Sequence, residues 1–449
     1  MEQLSDQGDN PIAADFSLWS LLAFSLPTVI MMIFMGLYTI VDSILISRFV
    51  GTNGLSALNI VTPVINIIVG IGGMLATGAN ALIARNLGEG KNIRASQDFS
   101  FLIFCGVLLG TCIALVGYTC MDALIWILGA SELLFSYCKS YLSVLLLFTP
   151  AAMLQILFQN LLVTAGKPTL GLGVSLSAGI LNIFLDYVFI VQCDMGIAGA
   201  ALGTGIGYMV PSITGILVFL QRKGVLRFCR PIIKLNVLWK SLTNGFSEMV
   251  SQSATAITTF LFNITMMRLA GEDGVAAITI MIYAQFLLTS LYIGFSMGAS
   301  PLLSFNHGSR NHGRLARIFN NSLWIIGISS CVICISAQLL GPSLVSIFSP
   351  KGTSVYRMAS QGFRIFSFSF LFSGFTIFTS AAFTAFSDGK RSAIISIMRT
   401  FVCLVIALLT LPRIWQETGV WLAVPCSEFV SMLIAFRLLH TNRYVYHYA

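Results

Sequence analysis

Four acidic residues stand inside stretches otherwise apolar enough for the interior of a bilayer: Asp42 in GLYTIVDSILIS, Asp186 in AGILNIFLDYVFIV, Glu248 and Glu428. A carboxylate at the centre of a transmembrane helix costs about 2.5–3.5 kcal/mol on insertion scales, so each is read first as a functional group. Asp42 and Asp186 form the sharpest pair. Asn182 precedes Asp186 by four residues and Tyr38 precedes Asp42 by four, each on the same helix face as its acid. Thr204 falls at a similar depth on the next apolar segment. Two carboxylates, an amide and hydroxyls brought together can take up a proton, because two negative charges in one apolar site repel strongly. They can equally hold Na⁺ through their oxygens, with Asp42, Asp186 and Asn182 as ligands. The bland alternative is a polar network that pins helices together.

The other candidates are weaker. Glu248 and Arg399 lie near the same end of two segments in the second half of the chain, at a matching depth, and are expected to pair. Removing one partner of a buried pair costs about 3–5 kcal/mol even when the pair itself contributes little. Glu428, beside Ser427 and Pro425, is a lesser candidate for cation binding. Gln155 and Gln159, one turn apart, suit substrate contact and helix–helix hydrogen bonding equally well. Gly199, Gly203 and Gly207 repeat every four residues, which suits close helix packing; a phosphate loop would need a Lys that is absent. Cys331 and Cys334 have C-x-x-C spacing inside an apolar run and read as small core residues. His307, His312, His440 and His447 show no metal-ligand spacing. Neither a nucleophile–base set nor a cofactor motif is present, so an enzyme is not expected.

Composition says what must position these groups. The chain has 449 residues, 56% hydrophobic and 9% charged, with a mean hydropathy of +0.88; soluble domains carry about 25% charged residues. The expected class is an all-α integral membrane protein. A span needs about 20 apolar residues. Twelve are read, at 16–41, 55–82, 97–119, 138–164, 169–191, 196–220, 243–267, 276–304, 317–340, 357–386, 392–412 and 419–438, numbered 1–12 below. Pro27, Pro63, Pro150, Pro211, Pro301 and Pro425 lie in or near them, as kinks that neighbouring helices must satisfy. Residues 1–15, MEQLSDQGDNPIAAD, lack a basic region, so span 1 is expected to insert uncleaved. Most of the 25 Lys and Arg fall on the side that carries both termini, which predicts termini in the cytoplasm of a cell-membrane protein. The basic stretch QRKGVLRFCRPIIKLNVLWK, 221–240, then reads as a linker and not as a nucleic-acid surface.

The two halves repeat. ISRFVGTNGLSALNIV (46–61) aligns with MMRLAGEDGVAAITIM (266–281), and ATGANALIARNLGEGK (76–91) with SMGASPLLSFNHGSRN (296–311), at an offset of 220. GKPTLG and GKRSAI form a third pair offset by 223. Six spans per repeat keep the orientation, so the lobes are related by a pseudo-two-fold axis along the membrane normal, the architecture of a secondary transporter. The expected layout is a tail at 1–15, one lobe at 16–220, a linker at 221–242, a second lobe at 243–438 and a tail at 439–449. The second lobe has Phe262, Val405 and Leu409 where the first has Asp42, Asn182 and Asp186. The acids are a one-sided addition that the repeat does not need.

LPTVIMMIFMGLYTIVDSILISRFVGTNGLSAL, GANALIARNLGEGK, LLVTAGKPTLG, LNIFLDYVFI, GIAGAALGTGIG and GVWLAVPCSE, in this order along nearly the whole chain, resemble the MATE (multidrug and toxic compound extrusion) transporters. The resemblance is closest to the prokaryotic branch with an acidic cluster in the first lobe, which includes staphylococcal-type multidrug exporters. It implies two six-helix lobes around a V-shaped cleft, a monomer, and export of bulky hydrophobic cations by antiport with H⁺ or Na⁺. It implies a coupling-cation site at Asp42, Asp186, Asn182 and Thr204, and a bend of span 1 at Pro27. Glu248 and Glu428 match the acids of the family's second lobe less securely. A lipid-linked oligosaccharide flippase of the same superfamily is the main rival. Such proteins often have more spans and a basic cleft, whereas here four acids face Arg399 and Arg364. A channel is disfavoured by the repeat and the lack of a filter motif.

Overall fold

The computed structural model describes residues 11–221 and 224–448, and every regular element among them is helical. Residues 1–10 of the expected tail, Arg222 and Lys223 of the linker, and Ala449 lie outside the described residues. Span 1 is Leu18–Leu45, span 2 Thr52–Gly88, span 3 Asn92–Thr119, span 5 Pro168–Asp186 and span 6 Gly196–Leu220. Span 4, read from sequence as one rod, is two helices, Glu132–Leu147 and Thr149–Thr164, at 56° to each other. The bend falls at Phe148 (φ -92°, ψ 4°), and Pro150 sits in the first turn of the second helix, where its missing N–H is harmless and it cannot continue the hydrogen bonding of the first.

Spans 7 and 8 form one element, Phe246–Gly308, broken at Gly271. Span 9 is His312–Phe348, and span 10 runs from Ser354–Phe366 into Phe370–Ala385. Spans 11 and 12 run from Gly389–Ile397 to Cys403–Tyr446, broken at Trp415 and Gln416. The sequence reading placed loops at these two breaks; the structure makes them kinks, so adjacent spans turn back with almost no connecting chain. The corresponding turn in the first lobe is at Gly51, the repeat partner of Gly271. Gly51 has φ 94° and Gly271 φ 63°, and no atom lies within 4 Å of where a Cβ would sit on either. Left-handed backbone, not crowding, therefore calls for glycine at both. Two short helices were not foreseen, Met121–Ile127 and Leu235–Asn244.

The lobes meet in backbone contact at the end of the bundle that carries both termini. A Cβ on Gly88 would lie 2.0 Å from the Phe305 carbonyl oxygen, and one on Gly308 would lie 2.3 Å from that of Arg85. Gly88 and Gly308 are repeat equivalents, and so are Arg85 and Phe305, so the pseudo-two-fold axis passes between these two contacts. Span 1 is continuous through Pro27, which withholds an N–H from the Ala23 carbonyl. Directly after it, Thr28 Oγ1 donates to the Gly294 carbonyl of span 8 at 2.7 Å. At the same end Tyr446 Oη donates to Asp388 Oδ2 at 2.6 Å, and Arg391 Nη1 donates to Tyr446 Oη at 3.1 Å. This ties the end of span 12 to the loop between spans 10 and 11.

Candidate cation site in the first lobe

Asp42 of span 1 and Asp186 of span 5 are close enough for their carboxyl groups to interact directly. Asp186 has no exposed surface and Asn182 only 3%. Asn182 Nδ2 donates to Asp186 Oδ1 at 3.4 Å and lies 3.5 Å from Thr204 Oγ1 of span 6, so one amide bridges the two helices. The helical step of four residues puts Asn182 and Asp186 on one face. The small residues of span 6 let that helix close over them: a Cβ on Gly203 would lie 2.1 Å from Asp186 Oδ1. Three tyrosines lie within electrostatic range of the carboxyl pair: Tyr38 and Tyr141 of both acids, and Tyr208 of Asp42.

The electrostatics are unusual for so buried a place. Among the described residues neither carboxylate forms an ion pair, although Arg–acid and Lys–acid pairs occur elsewhere. Asp42 Oδ1, Asp186 Oδ2 and Asn182 Oδ1 are buried and accept no hydrogen bond. An unsatisfied buried acceptor, more so a charged one, costs several kcal/mol unless a proton or cation meets it. Two carboxylates, an amide oxygen and hydroxyls are the hard oxygen donors that suit either partner. Asn182 and Thr204, but neither carboxylate, border a cavity lined also by Met35, Tyr38, Gln155, Gln159 and Tyr208. Its interior has room for little more than about one water molecule, too little for a drug. Gln159 Nε2 donates to Ser175 Oγ at 3.1 Å, whereas Gln155 Oε1 is a further buried acceptor with no donor.

The family model described as MatE matches residues 27–188 and again 249–409, once per lobe. The chain belongs to the MATE family. "Multidrug export protein MepA" of Staphylococcus aureus (strain bovine RF122 / ET3-1) is 25% identical over 439 residues, 94% of each chain. A solved structure described as "Crystal structure of MATE in complex with MaL6" superposes with a TM-score of 0.92 at 21% identity, covering all of both chains. "Outward-facing conformation of a multidrug resistance MATE family transporter of the MOP superfamily" gives 0.91 at 21% identity, covering 100% of this chain and 99% of the other. These likenesses show the fold: a MATE protein with twelve helices in two lobes, a multi-pass membrane transporter and not an enzyme.

In this MATE chain the second lobe differs from expectation. Arg399 does not pair with Glu248. Its Nε donates to Glu428 Oε1 at 2.8 Å, and Thr376 Oγ1 donates to the other oxygen of Glu428 at 2.9 Å. Glu428, expected as a weak cation site, is thus already neutralised. Glu248 instead accepts from Gln252 Nε2 at 3.2 Å and packs on Gly73 of span 2, while still feeling the Arg399 charge. Arg399 and Glu428 meet because spans 11 and 12 turn back on each other at Gln416, which sets them at one depth; Glu248 lies in the first turn of span 7. Leu409, the repeat counterpart of Asp186, is 52% exposed, and its neighbour Leu408 only 3%. Both are apolar. Tyr141 and Tyr208 were missed in sequence. Tyr208, four residues after Thr204, carried a usable signal; Tyr141, across the lobe on another helix, carried none.

Proposed function

We propose that this MATE protein is a multidrug exporter that expels hydrophobic organic cations in exchange for H⁺ or Na⁺ bound by Asp42, Asp186 and Asn182. One observation carries the reading: two carboxylates face each other in the apolar interior of the first lobe, each with a buried oxygen that accepts no hydrogen bond and no basic residue paired with it. A site that must take up a cation to be satisfied will take it from the side that supplies cation in excess. The relatives named as multidrug export proteins support the choice of cargo. So does the second lobe, where Arg399 is paired with Glu428 and so is not free to hold a lipid-linked pyrophosphate.

Coupling follows from which state the cation favours, since a ligand shifts an equilibrium only by its differential affinity. Uptake draws Asp42 of span 1 toward Asp186 of span 5. Span 1 is weakest at Pro27, beside its tie from Thr28 to span 8. A bend there would relay cation binding to the contact between the lobes and move Tyr38 and Met35 into the drug-binding space. Gln155 and Gln159 would line that space, and Glu248 would offer a negative charge on its opposite wall. The lobes at 16–220 and 243–438 then rock as units about the linker at 221–242, in a monomer. Both termini lie in the cytoplasm, on the side that holds most of the Lys and Arg.

The test is efflux of a fluorescent organic cation from vesicles under an imposed pH gradient or an imposed Na⁺ gradient. One of the two should drive efflux against the dye gradient. Response to neither would overturn the proposal.

A further inference from the structure

We infer that the linker between the lobes binds anionic lipid headgroups at the membrane interface on the terminal side. The helix Leu235–Asn244 buries Val237, Ser241 and Asn244, with Ser241 packed on the first lobe and Asn244 Nδ2 donating to the Thr384 carbonyl of the second at 2.9 Å. The dock is tight: a Cβ on Gly78 would lie 1.9 Å from the Ser241 carbonyl oxygen. Gly78 precedes the end of span 2 at Gly88 by ten residues, so the linker helix lies about 15 Å inward from the tip of that span. It therefore lies at the level of the membrane surface and not beyond it.

The opposite face of the linker is apolar and uncovered. Ile233 is 75% exposed, Leu235 74% and Trp239 68%. Leu235 and Trp239, at i and i+4, share one face of the linker helix, and Phe246, the first residue of span 7 beyond the break at Gly245, is 42% exposed. Arg227, Arg230 and Lys240 of the same linker are exposed and form no ion pair among the described residues. Lys234 faces Asp98, an acid it shares with Arg94 at 3.9 Å. A Trp and aliphatic face with unpaired cations on the same linker fits the headgroup region of an anionic leaflet, where the indole sits at the boundary and the cations meet phosphates. A soluble acidic partner would match the charge but not an exposed indole and aliphatic face set inward of the end of span 2.

The full chain would be reconstituted into vesicles containing brominated phosphatidylglycerol or, at equal mole fraction, brominated phosphatidylcholine. The quenching assigned to Trp239 is the difference between the wild-type chain and Trp239→Phe. The anionic lipid should quench it at least about twofold more strongly. The triple variant Arg227→Gln, Arg230→Gln, Lys240→Gln should abolish that preference while keeping its helix content. Equal quenching by both lipids would show contact without headgroup selection and overturn the inference. Quenching by neither would place water or a protein partner on this face and overturn it as well.

Discussion

Gly203→Ala tests whether the geometry of the acidic pair, and not merely its charge, sets cation binding. The added methyl would lie 2.1 Å from Asp186 Oδ1 and 3.2 Å from the Asp186 backbone nitrogen. Clearing the first contact takes about 1 Å of movement to reach ordinary van der Waals separation. Either the carboxylate turns away and loses the Asn182 amide at 3.4 Å, or span 6 backs off and pulls Thr204 with it. Overpacking of this kind costs about 1–3 kcal/mol, and spent at the site that is about a 5- to 150-fold loss of affinity for the coupling cation. Gly207→Ala, one turn along the same helix, is the control: its methyl would sit 3.4 Å from Asn182 Cβ, an ordinary contact. The assay is dye efflux from vesicles as a function of the driving cation concentration. Gly203→Ala should raise the half-saturating concentration by at least about fivefold, with Gly207→Ala close to wild type. Wild-type behaviour of Gly203→Ala, or an equal loss in both variants, would refute the reasoning.

Three further outcomes follow. Glu428→Gln strands Arg399 beside a neutral amide and should lower stability by about 3–5 kcal/mol, whereas Arg399→Met with Glu428→Leu should be close to neutral; unfolding temperatures in detergent decide, and an unchanged Glu428→Gln would contradict the pairing. Gly88→Ala sets a methyl against the Phe305 carbonyl and should part the lobes at the terminal end. Spin labels on Lys91→Cys and Arg310→Cys should then show a longer distance than in the parent, and an identical distribution would count against this contact as the closure point. Burial pushes the Asp388 carboxyl up, but hydrogen bonds from Tyr446 and Arg391 outweigh it and hold the group below its usual range. A lowered folded-state pKa contributes stability above the ordinary carboxylate value, lost as pH falls through the lower one. Hydrogen exchange near Tyr446 should therefore speed up only below about pH 4, and Asp388→Asn should abolish that dependence; the same acid-induced loosening in the variant would contradict it.

The membrane class, the spans and the twofold repeat were legible because each rests on local composition or on spacing along one chain. Asn182 beside Asp186 was legible for the same reason, a helical step of four. What failed was long-range choice among partners. Arg399 had two acids at a plausible depth, and what decides between them is how spans 11 and 12 pack against each other, which spacing along the chain does not carry. Tyr141 joins the acidic pair only because span 4 bends at Pro150 and sends its first half across the lobe, a direction that a list of spans cannot contain.

The most direct test of cation coupling at the acidic pair is gradient-driven efflux by Asp42→Asn and Asp186→Asn, each checked for wild-type amounts in the membrane. Each variant should lose efflux under the gradient that drives the parent, because neither can complete the two-carboxylate site. Wild-type efflux by either well-expressed variant would contradict the account.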